Sequence, residues 1–569
     1  MTDRSILWLL GDQLNPGLDA LEDADGVLLI EAHGFADRKP YHAHKLTLVF
    51  SAMRHFRDDL RERGHDVTYL RAESFGEGLD AFFEEHANDA TPDLRLMRPA
   101  SHGAGDRLRA LVAERGGTLE LLDNELFWTT PADWREWAGS SGGETGSDAA
   151  DRTYRQEGWY RHVRRETGLL MDGDEPVGGE WNYDDRNQET PPDDWNPPAR
   201  PRFEPDERTR ETHAWVLDRF DTWGEASLEE FAWPVTREAA LDALDAFICD
   251  RLPSFGRYED AMVDGEPWLS HSLLSPAINL GLLDPHEPVR AVERAYEERG
   301  VEPGAYDPSA AADRSTETTL DAFNSDGEDG NHDGAGVSNV DEADAAAVDD
   351  EAPVPLNAAE GFIRQVIGWR EFIRHVYRET MPQMAEANQL AQSRALPPAY
   401  WDGNTDMTCL SEAVGHVYEY GYAHHIERLM VLSNFALIYG VDPAELNEWF
   451  HLGFVDAYHW VTTPNVVAMG SFGTDVLSSK PYAASGNYVN RMSDYCASCP
   501  YTVSRTTGEG ACPFNALYWD FLKENEETLR GTGRMGLMYS HVDNKADAEW
   551  EAIRERAETV RKLAKRGEL

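Results

Sequence analysis

Cys496-Ala-Ser-Cys499 is followed, after twelve intervening residues, by Cys512, and Cys409 stands 87 positions before the pair. A C-x2-C unit turns two thiolates toward one metal centre. A near third and a distant fourth complete a tetrahedral set that suits zinc or a [4Fe–4S] cluster. Spacing alone favours zinc, because structural zinc held by four cysteines is common; metal-free buried thiols are the plainer alternative. The fifth cysteine, Cys249, falls on the apolar face of a helical pattern and reads as core. A second chemical signal is the adjacent pair His424-His425. Histidine titrates near neutrality and can deliver a proton to a reacting atom. Neighbours on a helix point about 100° apart, so one is expected to serve chemistry and the other to pack in the core. A third signal is the stretch Lys480, Tyr482, Tyr488 and Arg491, aromatic and basic, just before the C-x2-C unit. Such faces stack on unpaired bases at about 1–3 kcal/mol each, although a glycine-rich surface loop would look similar.

These residues lie in the second of two differently patterned regions. The first alternates short apolar runs (Ser5–Leu10, Val27–Ala32, Asp66–Arg71, Asp93–Arg98, Thr118–Leu122) with amphipathic stretches (Ala43–Arg63, Gly76–His86, Ala104–Arg115). That alternation predicts a parallel sheet with helices on both faces, a Rossmann-like α/β layer over residues 1–137. Gly11-Asp12-Gln13 follows the first strand, where such sheets place ligand loops, but no GxGxxG occurs, and a structural turn fits equally. Residues 138–206 read as a linker. Residues 207–301 open a large all-α domain, which resumes over 353–569 after an acidic low-complexity insertion at 302–352. Helical periodicity runs through Thr236–Asp250, Ser270–Leu282, Ala358–Tyr377, Leu410–Gly440 and Pro443–Tyr458. Ser270, Ser272 and Ser275 sit where a helix would start, suited to capping it or to binding a diphosphate on its free N–H groups.

The net charge of −52 argues at first against a polyanionic partner. Its distribution weakens that objection. From Pro353 onward 27 acids face 19 bases, a net of −8, so the first 352 residues carry −44. A lysine-poor, acidic surface is what a salt-loaded cytoplasm favours, where molar salt shortens the Debye length to about 3 Å. A halophilic source therefore accounts for the charge, and DNA is not excluded as a partner. The longest apolar runs are too short for a bilayer, and no secretory leader pattern opens the chain, so a cytoplasmic protein acting as a monomer is expected.

Several motifs then converge in order. Ala358-Ala-Glu-Gly-Phe-Ile-Arg-Gln-Val-Ile-Gly-Trp-Arg-Glu-Phe372 resembles the flavin-domain helix of photolyases and cryptochromes. Trp268-Leu-Ser-His-Ser-Leu-Leu-Ser-Pro276 resembles the family segment that grips the flavin diphosphate. Tyr422-Ala-His-His-Ile-Glu-Arg-Leu-Met430, the four cysteines, Ser479–Gly486, Leu10–Leu14 and Phe50–Phe56 narrow the likeness to the iron–sulfur bacterial cryptochromes and prokaryotic (6-4) photolyases. The resemblance implies a [4Fe–4S] cluster at Cys409, Cys496, Cys499 and Cys512, in place of the zinc that spacing favours. It also implies FAD held by Tyr258, His271, Ser272, Leu273, Leu274, Ser275, Gln365, Trp369, Arg370, Arg428 and Asp456, with Arg428 paired to Asp456. Trp401 and Trp449 match its electron-transfer positions, and Trp519 is a further candidate; Phe450 stands where a redox-active tyrosine is often found. A 6,7-dimethyl-8-ribityllumazine antenna is implied in the α/β domain, where His44 and Lys45 fit the pattern and Phe35 replaces an acid.

The activity implied is light-driven repair of (6-4) photoproducts in ultraviolet-damaged DNA. Photoreduced FAD gives the electron, His424 and His425 are the catalytic pair, and Gln365, Lys480, Tyr482 and Tyr488 meet the lesion. A blue-light sensor without repair shares every motif. A structural zinc or iron–sulfur nucleic-acid-binding module without photochemistry, colourless or merely brown, is the third alternative.

Overall fold

Runs such as Ile6–Leu9 and Val27–Ile30 lack the polar alternation of a sheet wetted on one face, so both of their faces must be covered. The computed structural model describes residues 5–86, 93–139, 143–144, 153–307, 352–532 and 535–569. In it β1 (Ser5–Leu9), β2 (Gly26–Ala32), β3 (Val67–Ala72), β4 (Asp93–Met97) and β5 (Thr118–Leu122) form one sheet in the order β3-β2-β1-β4-β5. All neighbours are parallel, with Leu7 opposite Val27 and Ile6 opposite Leu94. Helices α1 (Ala43–Glu62), α2 (Phe75–Glu85) and α3 (Ala104–Ala113) cover the sheet. The order reverses between β1 and β4, and Gln13 bridges that point. Its Oε1 accepts from Leu10 N and its Nε2 donates to the Met97 carbonyl at 3.0 Å, so the Gly11-Asp12-Gln13 loop is in part a structural turn.

The rest of the described chain is mostly helical: α4 (Gln156–Thr167), α5 (Glu207–Arg219), α6 (Arg237–Ala246), α7 (Ser275–Leu280) and α8 (His286–Arg299). After these come α9 (356–380), α10 (Thr408–Tyr420), α11 (427–439), α12 (Pro443–Gly453), α13 (Tyr495–Ser498), α14 (Pro513–Glu524) and α15 (Asp547–Arg566). Backbone bonds stitch the two regions together, among them Leu14 N to Leu280 O, His42 N to Leu452 O and Ala43 N to Trp223 O. One apolar core runs through both regions, and a second surrounds the cysteines. Gly300–Val301 pairs in parallel with Val354–Pro355 and so joins the ends of the acidic segment. Most of that segment, and residues 140–142 and 145–152 of the linker, lie outside the described residues. Among the described residues no helix is long and apolar enough to cross a membrane.

Three helical expectations need correction. The periodic stretch 410–440 is two helices, broken at Gly421, whose φ of +65° and close approach to Val455 suit glycine. The stretch 270–282 is helical only over Ser275–Leu280. The residues before it form a loop in which Leu269 and Leu273 have φ of 38° and 59°. Cys249 is exposed, not core: a wider π turn over Phe247–Arg251 shifts the helical register and buries Phe247 and Arg251 instead. Helix α9 runs unbroken but includes another π turn, Arg364–Arg370, which carries Gln365, Trp369 and Arg370.

Candidate functional site

The four cysteines arrive from three elements. Cys409 opens α10, Cys496 and Cys499 lie in and just beyond α13, and Cys512 caps α14, whose first residue is Pro513. Together with Tyr495 and Gly486 they line one cavity. A Cβ on Gly486 would come within 2.7 Å of Cys512 Sγ, so only glycine leaves room for the sulfur. Burial, then the neighbouring thiols, pushes Cys409 well up, Cys496 to about 11 and Cys512 to about 12. Thiolates crowded in so apolar a place need a cation to hold them, and the donor set is all sulfur; both fit a cysteine-bound metal centre.

A second centre lies around the histidines. His424 immediately precedes the turn that leads into α11, so the pair diverges: its side chain has 0% exposure, whereas that of His425 has 44%. Burial lowers the His424 pKa to about 4. At His425 burial acts the same way, but its bond to Asp260 Oδ1 at 3.3 Å and the Glu259 and Asp260 charges outweigh it and raise the pKa. The outer histidine is therefore the more readily protonated of the two, and the inner one the more readily neutral. His424 stacks on His271 at 4.7 Å, and His271 meets His425 edge-on at 5.3 Å. His271 Nε2 and both ring nitrogens of His424 are buried without a hydrogen-bond partner among the described residues. Buried polar atoms left open in this way mark a place where another molecule belongs.

The remaining expected flavin residues surround that spot unevenly. Arg428 forks onto Asp456 at 3.0 and 3.1 Å, and Ser275 donates to the same carboxylate at 2.7 Å. Burial would raise the Asp456 pKa, but the Arg428 charge and these bonds hold it low. Leu273 and Leu274 are buried, and a leucine at positive φ costs about 1–2 kcal/mol, a strain typical of a functional loop. Ser272 accepts weakly from Leu274 N at 3.5 Å, and Ser270 is tied to Ser254 at 2.7 Å. Gln365 donates to Glu259 at 3.0 Å and Trp369 to Asn465 at 3.2 Å. Arg370 reaches Asn279, Glu371 and the Leu126 carbonyl, and so also spans the two regions. Tyr258 is packed on Trp195 at 4.7 Å, inside a small satellite core.

Aromatic rings lead outward from the ion pair. The Arg428 guanidinium lies 4.3 Å over Phe454, which meets Trp449 at 5.8 Å; Trp223 then stands 6.2 Å from Trp449 and 5.6 Å from Trp401. Trp223 joins the two expected relays although sequence reading missed it. Trp519 packs instead with Tyr518 and under Lys545. Among the residues expected to meet a lesion, burial and then the nearby Asp260 charge raise Tyr488 to about 12, which puts it in the company of His425. Lys480 and Tyr482 are exposed, and the Lys480 ammonium has no acid partner among the described residues. Glu259 and Asp260, which link Gln365, His425 and Tyr488, carry no motif and were also missed. Among the antenna candidates, His44 contacts the Ser227 carbonyl, and Lys45 donates to the His451 and Ala457 carbonyls. Phe35 is exposed and stacked near Tyr41.

Residues 7–233 match the family model described as deoxyribodipyrimidine photo-lyase-related protein. The chain is 37% identical over 545 residues, 94% of each chain, to a (6-4) photolyase of Agrobacterium fabrum. In fold it is similar to a bacterial class III photolyase from Agrobacterium tumefaciens: TM-score 0.52, 15% identity, covering 100% of this chain and 98% of that one. It is similar as well to a Synechocystis sp. PCC6803 cryptochrome: TM-score 0.54, 12% identity, covering 99% of both.

Proposed function

The chain belongs to the photolyase–cryptochrome family, beside the (6-4) photolyase it matches along nearly its whole length, and from that premise we propose that it repairs (6-4) photoproducts in ultraviolet-damaged DNA under light. What carries the reading at the site is the split within the histidine pair: an exposed, readily protonated His425 next to a buried, neutral His424. Bound reduced FAD supplies the electron that light drives into the lesion and that returns when repair is complete. The surrounding side chains do the rest. His425, kept charged by Asp260, lends a proton to the hydroxyl that migrates back to the 5′ base and recovers it afterwards, so the proton count closes. Arg428 and Asp456 set a fixed charge pair, and with them His271, the Ser272–Ser275 loop, Tyr258, Gln365, Trp369 and Arg370 would hold the cofactor. Tyr488 and Gln365, with Lys480 and Tyr482 further out, receive the extruded bases.

The four cysteines hold a [4Fe–4S] cluster, chosen over zinc because their setting resembles the iron–sulfur members of the family. A ribolumazine antenna would belong in the α/β domain, where His44 and Lys45 fit the pattern; further polar groups between the two regions are Asp12, whose pKa burial raises to about 6, and the buried Tyr458 hydroxyl, which has no hydrogen-bond partner among the described residues.

The deciding experiment illuminates purified, reduced protein with an oligonucleotide bearing one (6-4) lesion and follows restored thymines. Restoration that depends on light is the expected result. Intact flavin photoreduction without restoration would replace repair with blue-light sensing.

A further inference from the structure

Glu427 opens α11, wholly buried, and its two oxygens face two different neighbourhoods. Oε1 accepts from His416 Nδ1 at 2.9 Å and from the Tyr495 hydroxyl at 2.9 Å. Oε2 accepts the His424 backbone N–H at 3.2 Å and lies 3.4 Å from His424 Nε2. The first two partners belong to the cysteine site. His416 follows Cys409 by seven residues on α10; two helical turns, roughly 10 Å, return it to nearly the same face. Tyr495 immediately precedes Cys496 and itself lines the cysteine cavity. The third partner belongs to the lesion side, where the His424 ring continues through its stack on His271 to the edge of His425.

A buried carboxylate is tolerable only while its partners stay in place, and satisfied buried networks switch between discrete arrangements rather than deforming smoothly. Two cysteine-bearing segments thus end on one carboxylate whose other oxygen fixes the inner histidine. We propose that Glu427 is a positioning residue that couples the four-cysteine site to the histidine pair: seating a group on the cysteines fixes Tyr495 and His416, and through Glu427 holds the His424 stack that orients His425. Only the meaning of His425 rests on the repair reading. The coupling itself rests on the contacts.

The test uses full-length protein labelled with ¹⁵N-histidine. Imidazole spectra of the wild type, Tyr495→Phe, Glu427→Gln, Cys409→Ser and the Cys409→Ser/Glu427→Gln double variant are recorded with visible absorption of the pigments and with repair. Tyr495→Phe is expected to keep flavin and iron absorption while shifting the His424 and His425 ring signals, and to slow repair about tenfold at unchanged affinity for lesion DNA. Cys409→Ser is expected to shift the same signals, with no further shift when Glu427→Gln is already present. Wild-type ring signals in Tyr495→Phe, or shifts that add independently in the double variant, would overturn the coupling. Should Glu427→Gln fail to fold, the spectra of Tyr495→Phe decide alone. If the wild type repairs nothing, the repair reading falls while the ring signals still judge the coupling.

Discussion

Glu31 on β2 and Glu427 on α11 are both wholly buried, and each is held at a pKa of about 2. Burial alone would raise both. At Glu31 the offset comes from hydrogen bonds of His33 and Arg54, the Arg54 charge and the Tyr69 hydroxyl. At Glu427 it comes from the neighbouring His424 and His416 rings and the bonds of His416 and Tyr495. The difference lies in what each network leaves over. Arg54 grips Glu31 at 2.6 and 3.0 Å, gives another bond to Thr212 and lies 4.4 Å over Trp215, so the cluster closes on itself and locks α5 to the sheet. An arginine never releases its proton, so the Arg54–Glu31 ion pair itself holds across the neutral range, beside the His33 bond. Glu427 is held by groups that titrate, and the ring nitrogens of its neighbour His424 have no hydrogen bonds among the described residues. A closed buried network stabilises; an open one, aimed at a cleft, is a working site.

The sharpest way to break that contrast is His425→Ala. The side chain is half-exposed, so little folding energy goes with it. Loss of a general acid should cost repair about 100-fold or more, with FAD absorption, photoreduction and the melting temperature unchanged. Repair that persisted would remove the proton-donor role. The matching test on the other side is Glu31→Gln, which leaves the Arg54 charge buried without its counter-ion. The expected loss is about 3–5 kcal/mol of stability in denaturant titrations, with repair per folded molecule unaltered. Because the folded-state pKa of Glu31 lies below its ordinary 4.5, its contribution is complete above about 4.5 and drains away as pH falls toward about 2. The wild-type and variant stability curves should therefore run parallel from pH 5 to 9 and converge in acid. A gap that changed through the neutral range would mean that Glu31, like Glu427, answers to titrating partners.

The same contrast explains what the amino-acid order discloses. Strands such as β1 and β5 were legible almost to the residue, because apolar runs bounded by turn residues leave the chain one way to bury them. The C-x2-C unit and the histidine pair were legible because their chemistry is local. The interruption at Gly421 was hidden, since both flanking helices bury apolar faces and the periodicity runs on through it. Nothing near Leu273 signals its left-handed backbone. Asp260 meets His425 across 165 positions, and Gln365 meets Glu259 across 106. Such pairings follow from the packing of α9 and α11 against the loop after α6, which no pattern in any one segment encodes. Trp223 belongs to the same class: it lies in the first part of the helical domain, between α5 and α6, in a stretch without helical periodicity.

Trp223 also supplies the mildest of these tests. Its indole Nε1 donates to the Trp401 carbonyl at 2.9 Å, and its ring stands between Trp401 and the buried Trp449. Phenylalanine at 223 would keep most of the packing, lose that bond at a cost of about 1 kcal/mol, and remove an oxidisable ring that touches both neighbours. With Trp223→Phe, flavin photoreduction by an external donor is expected to slow several-fold, while repair by protein already reduced chemically stays at the wild-type rate. The split separates the route that recharges the flavin from the chemistry at His425. Equal slowing of both would place Trp223 in the packing of the site, and photoreduction at the wild-type rate would leave Trp401 and Trp449 to exchange electrons without it.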